Sequence, residues 1–256
     1  MVDSARERAH AAAPAAPIPH PPELLLVSHG TASPAGTRAT WQLREAIAAA
    51  RPEVTVRLCF LDVGTPTLSD ALAQSDGPSD GLTDGSAPAR PTVLVPLLLS
   101  TGYHVQTDIP SAVAGRAHVV IGRHLGPHEL LTDVLADRLG DLRRDARVVL
   151  AAAGSARPEA AAELQRAAEL LGSRLGRAVP VLTLSEPLAE RFAEMAGTGH
   201  TPVQVATYLL TEGHFADTIA ATARGLADVA PPLGVHPALV SLVWLRYGDA
   251  VAAPRQ

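Results

Sequence analysis

Four apolar residues, Leu24-Leu25-Leu26-Val27, stop abruptly at Ser28-His29-Gly30-Thr31. An unbroken Leu/Val run bounded by a Gly-containing turn reads as a strand buried on both faces, the strand type of parallel α/β sheets. Such sheets bind ligands outside the carboxyl ends of their strands, and His29 falls there. The pattern returns at Val148-Val149-Leu150-Ala151-Ala152-Ala153-Gly154-Ser155, with Ala153 in the place of His29.

Two further pairs recur in the same order. Thr101-Gly102-Tyr103-His104 matches Thr211-Glu212-Gly213-His214, and Leu125-Gly126-Pro127-His128 matches Leu233-Gly234-Val235-His236. The offset falls from 124 residues at the first pair to 110 and 108, and most of the drop is a polar, Gly-rich insert at 74–91 that the second half lacks. Ordered recurrence at near-constant offset implies a duplicated unit. The expected fold is therefore α/β, with two similar subdomains. Each is a mostly parallel sheet flanked by helices, and a cleft lies between them. The expected organisation is an Ala/Pro-rich disordered tail at 1–22, a first domain at 23–145 and a divergent repeat at 146–256. The insert, with its three Asp-Gly units, is expected to be a flexible loop rather than a calcium site, since it lacks a regular ligand ladder.

Periodicity and turn residues give strands at 23–28, 54–61, 93–99 and 118–121 in the first half, and at 147–152, 179–184 and 203–210 in the second. Helices are expected at 37–51, from 68, at 129–144, 159–175 and 187–196, from 214 to about 227, and through Tyr247. Pro96, inside the third strand, predicts a bulge or an edge position.

Composition excludes several classes. The basic residues are 21 arginines with no lysine, scattered over a chain of net charge −5, which is no nucleic-acid footprint. No apolar run reaches the roughly 18 residues of a membrane span, and the first residues lack the apolar stretch of a secretory signal. A single cysteine, Cys59, allows no intrachain disulfide and suits a reducing, cytoplasmic compartment as a buried thiol.

His29 and His104 both follow strands of one half, and Asp62 follows the strand between them. Two neutral imidazoles and a carboxylate form an incomplete shell for a divalent first-row metal, suited to handing the ion on. The imidazoles also serve as bases near neutral pH. Around them, Gly30, Thr31, Ser33, Ser100, Thr101, Gly102 and Tyr103 are candidate substrate contacts. With Thr107, the hydroxyls among them either bind anions at helix starts or cap those helices. His128, repeated as His236, reads as a helix-start residue, and His124 has no clear role.

The stretches LLLVSHGTASP, CFLDVGTPTL, VLVPLLLSTGYHVQTDIP and GRHLGPH resemble the sirohydrochlorin chelatase and cobaltochelatase family, the small class II chelatases. The resemblance covers about residues 23–140, and GHFADTI and LGVHPAL resemble that family's divergent second copy. It implies ATP-independent insertion of Fe2+ or Co2+, with Ni2+ a further candidate, into sirohydrochlorin or a related tetrapyrrole, and no permanently bound cofactor. It also implies that His29 and His104 bind the metal and take the pyrrole protons, while Asp62 stands where the family usually has Glu. His214 matches the second-copy histidine, but Ala153 removes its partner, which makes His214 either a substrate contact or a relic. A monomer with a pseudo-twofold repeat is expected. Two rival readings remain. A non-catalytic metal- or tetrapyrrole-binding protein on the same fold is one. A histidine phosphatase is the other, against which Ser28 stands where that family's phosphate-binding Arg would be.

Overall fold

The computed structural model describes residues 21–77, 89–197 and 201–253. Nearly all of the expected tail, and 78–88 of the expected insert, lie outside them. The first half runs β1 (Glu23–Gly30), α1 (Pro34–Ala50), β2 (Val56–Val63), α2 (Leu68–Ser75), β3 (Thr92–Pro96), a π-helical turn (His104–Asp108), α3 (Ile109–Val113), β4 (Val119–Ile121) and α4 (Glu129–Leu139). The second runs β5 (Arg147–Ala152), α5 (Pro158–Leu175), β6 (Val181–Thr183), α6 (Leu188–Ala196), β7 (Val203–Thr207), α7 (His214–Ala223), β8 (Asp228–Val229) and α8 (Pro237–Ala252).

Each half builds a parallel four-stranded sheet, ordered β2-β1-β3-β4 in the first and β6-β5-β7-β8 in the second. Both orders reverse between the first and third strands of the half. That is the topological switch point where open α/β sheets open a crevice at their carboxyl edge. The apolar run of β1 is buried on both faces as expected: Leu24 and Leu26 join one core cluster, Leu25 and Val27 another.

Several boundaries differ from the sequence expectation. β1 continues through His29 to Gly30, and β2 through Asp62 to Val63, so both residues belong to strand ends rather than to turns. Pro96 is neither at a bulge nor on an edge strand. It ends a central strand beyond the last β3–β4 pair, Leu94 with Ile121, where no ladder donor is required of it. α4 stops at Leu139, at Gly140, rather than running to residue 144. β7 ends at Thr207 and α7 at Ala223, and an unforeseen short strand, β8, follows. α8 runs on past Tyr247 to Ala252.

The insert starts later than expected. α2 reaches Ser75, which is fully buried and donates to Glu23 Oε1 at 2.6 Å. Glu23 is itself buried and also accepts from Arg57 and Thr92, each at 3.0 Å. This polar knot closes the amino-terminal edge of the first sheet, opposite the histidines.

The packing crosses between the halves. α4, the last helix of the first half, lies against β7 and α5, whereas α8, the last helix of the second, lies against β3, β4 and α1. Polar contacts fix the exchange. Trp244 Nε1 donates to Ile47 O at 3.2 Å, Tyr247 OH to Pro22 O at 2.7 Å, and Arg246 to His124 O and Leu125 O at 3.0 and 3.1 Å. In the other direction, Arg138 donates to Leu233 O and Val235 O. One core cluster therefore contains Leu24 and Val95 together with Val148 and Trp244.

Candidate metal centre

His29, Asp62 and His104 come from three elements. β1 delivers His29 at its carboxyl end. Beside it, the β1–β2 register runs Ser28 with Phe60 and then Gly30 with Val63, so β2 carries one extra residue. Such bulges re-aim side chains at functional edges, and here Asp62 Oδ2 lies 3.5 Å from His29 Nε2. The backbones approach so closely that a Cβ on Gly30, at φ +96°, would meet Val63 O at 1.9 Å. Only glycine fits there. His104 opens the π-helical turn after β3 and brings its Nε2 to 3.6 Å from the same Asp62 oxygen. The two imidazoles meet edge to face, with centroids 4.7 Å apart.

These separations are long for hydrogen bonds. They suit a shared cation: ligands roughly 2.1 Å from one ion at near-tetrahedral angles lie about 3.4 Å apart. One donor atom from each of the three residues lies within 4.8 Å of the others, and among the described residues no other such trio of His, Cys, Asp or Glu occurs. His104 is held by a fourth residue. Its Nδ1 lies 2.6 Å from Asp108 Oδ2. With Nδ1 engaged by Asp108, Nε2 is the ring nitrogen that faces Asp62. The sequence reading missed Asp108, although its i, i+4 spacing from His104 was visible in GYHVQTDIP.

The surrounding hydroxyls are largely engaged. Thr31 Oγ1 accepts from Ser33 N at 3.1 Å, and Ser33 Oγ caps α1 by accepting from Gly36 N at 3.3 Å. The second half presses on this loop: a Cβ on Gly36 would lie 2.2 Å from Glu212 O, and one on Gly213 would lie 2.9 Å from Thr31 Oγ1. Helical geometry begins at Tyr103, one residue before His104, and Gln106 N already donates to Gly102 O at 3.1 Å. Tyr103 is 56% exposed, beside His104. Ser100 and Gly102 are half-buried in the loop between them and β3.

That loop is gripped from the second half. Glu163 of α5 accepts from both Thr101 N and Thr101 Oγ1, the latter at 2.8 Å. The Tyr208 hydroxyl donates to Leu99 O at 3.1 Å. Burial, reinforced by the Glu163 charge, pushes that phenol upward and keeps it a donor. His124 Nε2 lies 3.2 Å from Glu163 Oε1 but is misaligned for a hydrogen bond. Burial holds the His124 imidazole below its usual range against the opposing pull of Glu163.

The remaining histidines fall into place. His128 and His236 both act as helix N-caps, their Nδ1 atoms accepting from Leu130 N and Ala238 N at 3.1 Å each, as the repeat implied. His214 is exposed at the start of α7, next to Phe215. Cys59 is buried, and burial pushes its thiol up to about 12, so it stays inert. Among the described residues, no helix is long and apolar enough to cross a membrane.

Two linked parallel α/β sheets, with one trio of two imidazoles and a carboxylate gathered at the carboxyl edge of the first among the described residues, define a two-copy α/β architecture with a candidate metal centre. The CbiX family model matches residues 23–142 and again 147–250, and the chain belongs to the CbiX family. Among curated relatives, sirohydrochlorin ferrochelatase of Priestia megaterium is 26% identical over 212 residues, 73% of this chain and 74% of that protein. Sirohydrochlorin cobaltochelatase of Methanococcoides burtonii is 27% identical over 129 residues, 45% of this chain and 92% of that one. Among solved structures, SirB from Bacillus subtilis with Fe3+ shares the fold at TM-score 0.75 and 22% identity, over 90% of this chain and 95% of its own.

Proposed function

We propose that this chain is an ATP-independent chelatase that inserts Fe2+ or Co2+ into sirohydrochlorin or a close relative, in siroheme or cobalamin biosynthesis. Membership of the CbiX family and the names of its relatives support the reaction class. The observation that carries the assignment of residues is the convergence of His29, Asp62 and His104 on one point at the exposed carboxyl edge of the sheet.

The chemistry follows from those groups. His29 and His104 receive the divalent ion through Nε2, with Asp62 Oδ2 as the anionic third donor. Three protein donors leave positions open, so pyrrole nitrogens enter without first expelling a closed cage. The two ring nitrogens that carry N–H protons lose them as they take the metal, and the freed imidazoles accept them. Two protons are released per ion inserted. Asp108 keeps His104 in the tautomer that ligates and stabilises the imidazolium that forms. Imidazole and carboxylate accept Fe2+, Co2+ and Ni2+ alike, so the donor set leaves the choice of metal to supply. We take the chain to act as a monomer, since its two copies cover each other within one molecule, and in the cytoplasm, since its one cysteine is a buried free thiol.

The test is anaerobic absorbance spectroscopy of metal insertion into sirohydrochlorin, with Fe2+ and Co2+ separately. Wild type should accelerate insertion, while His29→Ala and His104→Ala, shown folded by circular dichroism, should fall to the uncatalysed rate. Metal binding by wild type without acceleration would instead mark a binding protein.

A further inference from the structure

The repeat sets Ser33 and Arg157 at the same place, each just before the proline that opens the helix after its half's first strand. Ser33 caps its own helix. Arg157 makes no side-chain cap; its guanidinium crosses to the first half. There its carbon lies 5.7 Å over the centroid of the Tyr103 ring, and Nη1 donates to Gln106 Oε1. Both partners sit on the segment that carries His104, and the Tyr103 ring meets His104 edge-on at 6.4 Å between centroids.

Neither partner of Arg157 is an anion. Among the described residues no carboxylate pairs with it, whereas Arg57, Arg116 and Arg174 each have one. A guanidinium carries five N–H donors in a planar fork; one is used here on a neutral amide. Its positive charge is thus held over Tyr103, the residue next to His104, with no carboxylate partner among the described residues. Next to it, the open Tyr103 ring offers an apolar face, and Val63, 47% exposed, adds apolar surface beside Asp62. The ligand that fits both has a flat apolar body centred on the metal donors and carboxylates on its rim.

We propose that Arg157, seated on Tyr103, binds a peripheral carboxylate of the tetrapyrrole and so sets the macrocycle over His29 and His104. The inference rests on the chelatase reading and assigns the second half a direct part in substrate binding. Arg157 touches the rim of the substrate and none of the reacting atoms, so its loss weakens tetrapyrrole binding and leaves metal binding intact.

The experiment titrates metal-free sirohydrochlorin into wild type, Arg157→Met and Arg157→Lys, and measures KM and kcat for Co2+ insertion with each. A charge-assisted bond to carboxylate corresponds to roughly a tenfold or greater loss. Arg157→Met should raise tetrapyrrole Kd and KM by about that factor with kcat within about twofold, and Arg157→Lys should recover part. Co2+ affinity, measured without tetrapyrrole, should match wild type and report an intact fold. A second arm uses the tetrapyrrole with its carboxylates methyl-esterified, which wild type and Arg157→Met should bind alike. If wild type inserts metal and Arg157→Met binds sirohydrochlorin as tightly as wild type, or loses equally against the ester, the inference is overturned and the chelatase reading stands. If wild type neither binds nor metallates sirohydrochlorin, both are overturned.

Discussion

Replacing Glu163 by alanine removes the carboxylate through which α5 grips the loop leading to His104. Its carboxylate accepts from the amide and hydroxyl of Thr101, and its side chain is 25% exposed. Hydrogen bonds to a charged group are worth about 1.5–3 kcal/mol each. Two of them set an upper bound near 6 kcal/mol, but water reaches a partly exposed site and such terms do not add fully. The expected loss for Glu163→Ala is about 3 kcal/mol, or roughly a 1 M fall in the urea midpoint for a chain of this size. Glu163→Gln keeps an oxygen for the Thr101 amide, and the hydroxyl turns to accept from the new amide nitrogen, so it should cost only about 1 kcal/mol. Thr101 lies three residues before His104, so the loosened loop should also lower the initial rate of Co2+ insertion about tenfold in the alanine variant. Glutamine should restore most of that rate. A Glu163→Ala protein with the wild-type urea midpoint and the wild-type insertion rate would refute the reasoning.

Two other outcomes follow from the geometry. Gly30→Ala forces a Cβ to 1.9 Å from Val63 O at a positive φ; it should cost about 3 kcal/mol or more and weaken Co2+ binding by displacing Asp62, both measurable on one preparation by urea unfolding and metal titration. The second concerns acid. Burial, then the Arg246 charge, lowers the folded-state pKa of His128 below its usual 6.5, and its neutral Nδ1 is the cap acceptor for Leu130 N. The unfolded chain therefore takes up a proton first, and stability should fall as pH drops through 6.5 toward the folded value. His128→Asn keeps a cap acceptor that does not titrate, and its urea midpoint should fall less than wild type between pH 7.5 and 5.5; an unchanged slope would locate the acid sensitivity elsewhere.

What the sequence made legible was local or repeated. The two-sided burial of Leu24 to Val27, the duplicated sheets and the caps at His128 and His236 all follow from short-range pattern. His29 and Asp62 stand at the carboxyl ends of β1 and β2 and His104 in the segment that follows β3, and the order of strand and turn in the sequence is what drew attention to all three. What escaped was set by distance along the chain. An apolar helix face shows that a helix is buried, not which sheet it covers, so nothing in α4 or α8 announced their exchange. Arg157 stands just before α5 and Glu163 within it, polar positions that announce no partner in the sequence, and only the approach of the halves gives them Tyr103 and Thr101. The extra residue in β2 was hidden because a bulge depends on the register of two strands, which alternation in one strand cannot reveal.

The exchange of α4 and α8 has a consequence for how such a chain diverges. A single copy would expose the sheet face that its partner's last helix covers, and would need a second molecule to close it. Joining the copies makes that closure intramolecular, so it no longer depends on protein concentration. It also lifts the requirement that both copies stay alike. Two identical chains related by a twofold axis must carry the same residue at both sites, whereas here one copy keeps His29 while the other holds Ala153. The second copy is thereby freed to lose that imidazole and to take up other contacts, such as the hold of Glu163 on the loop before His104.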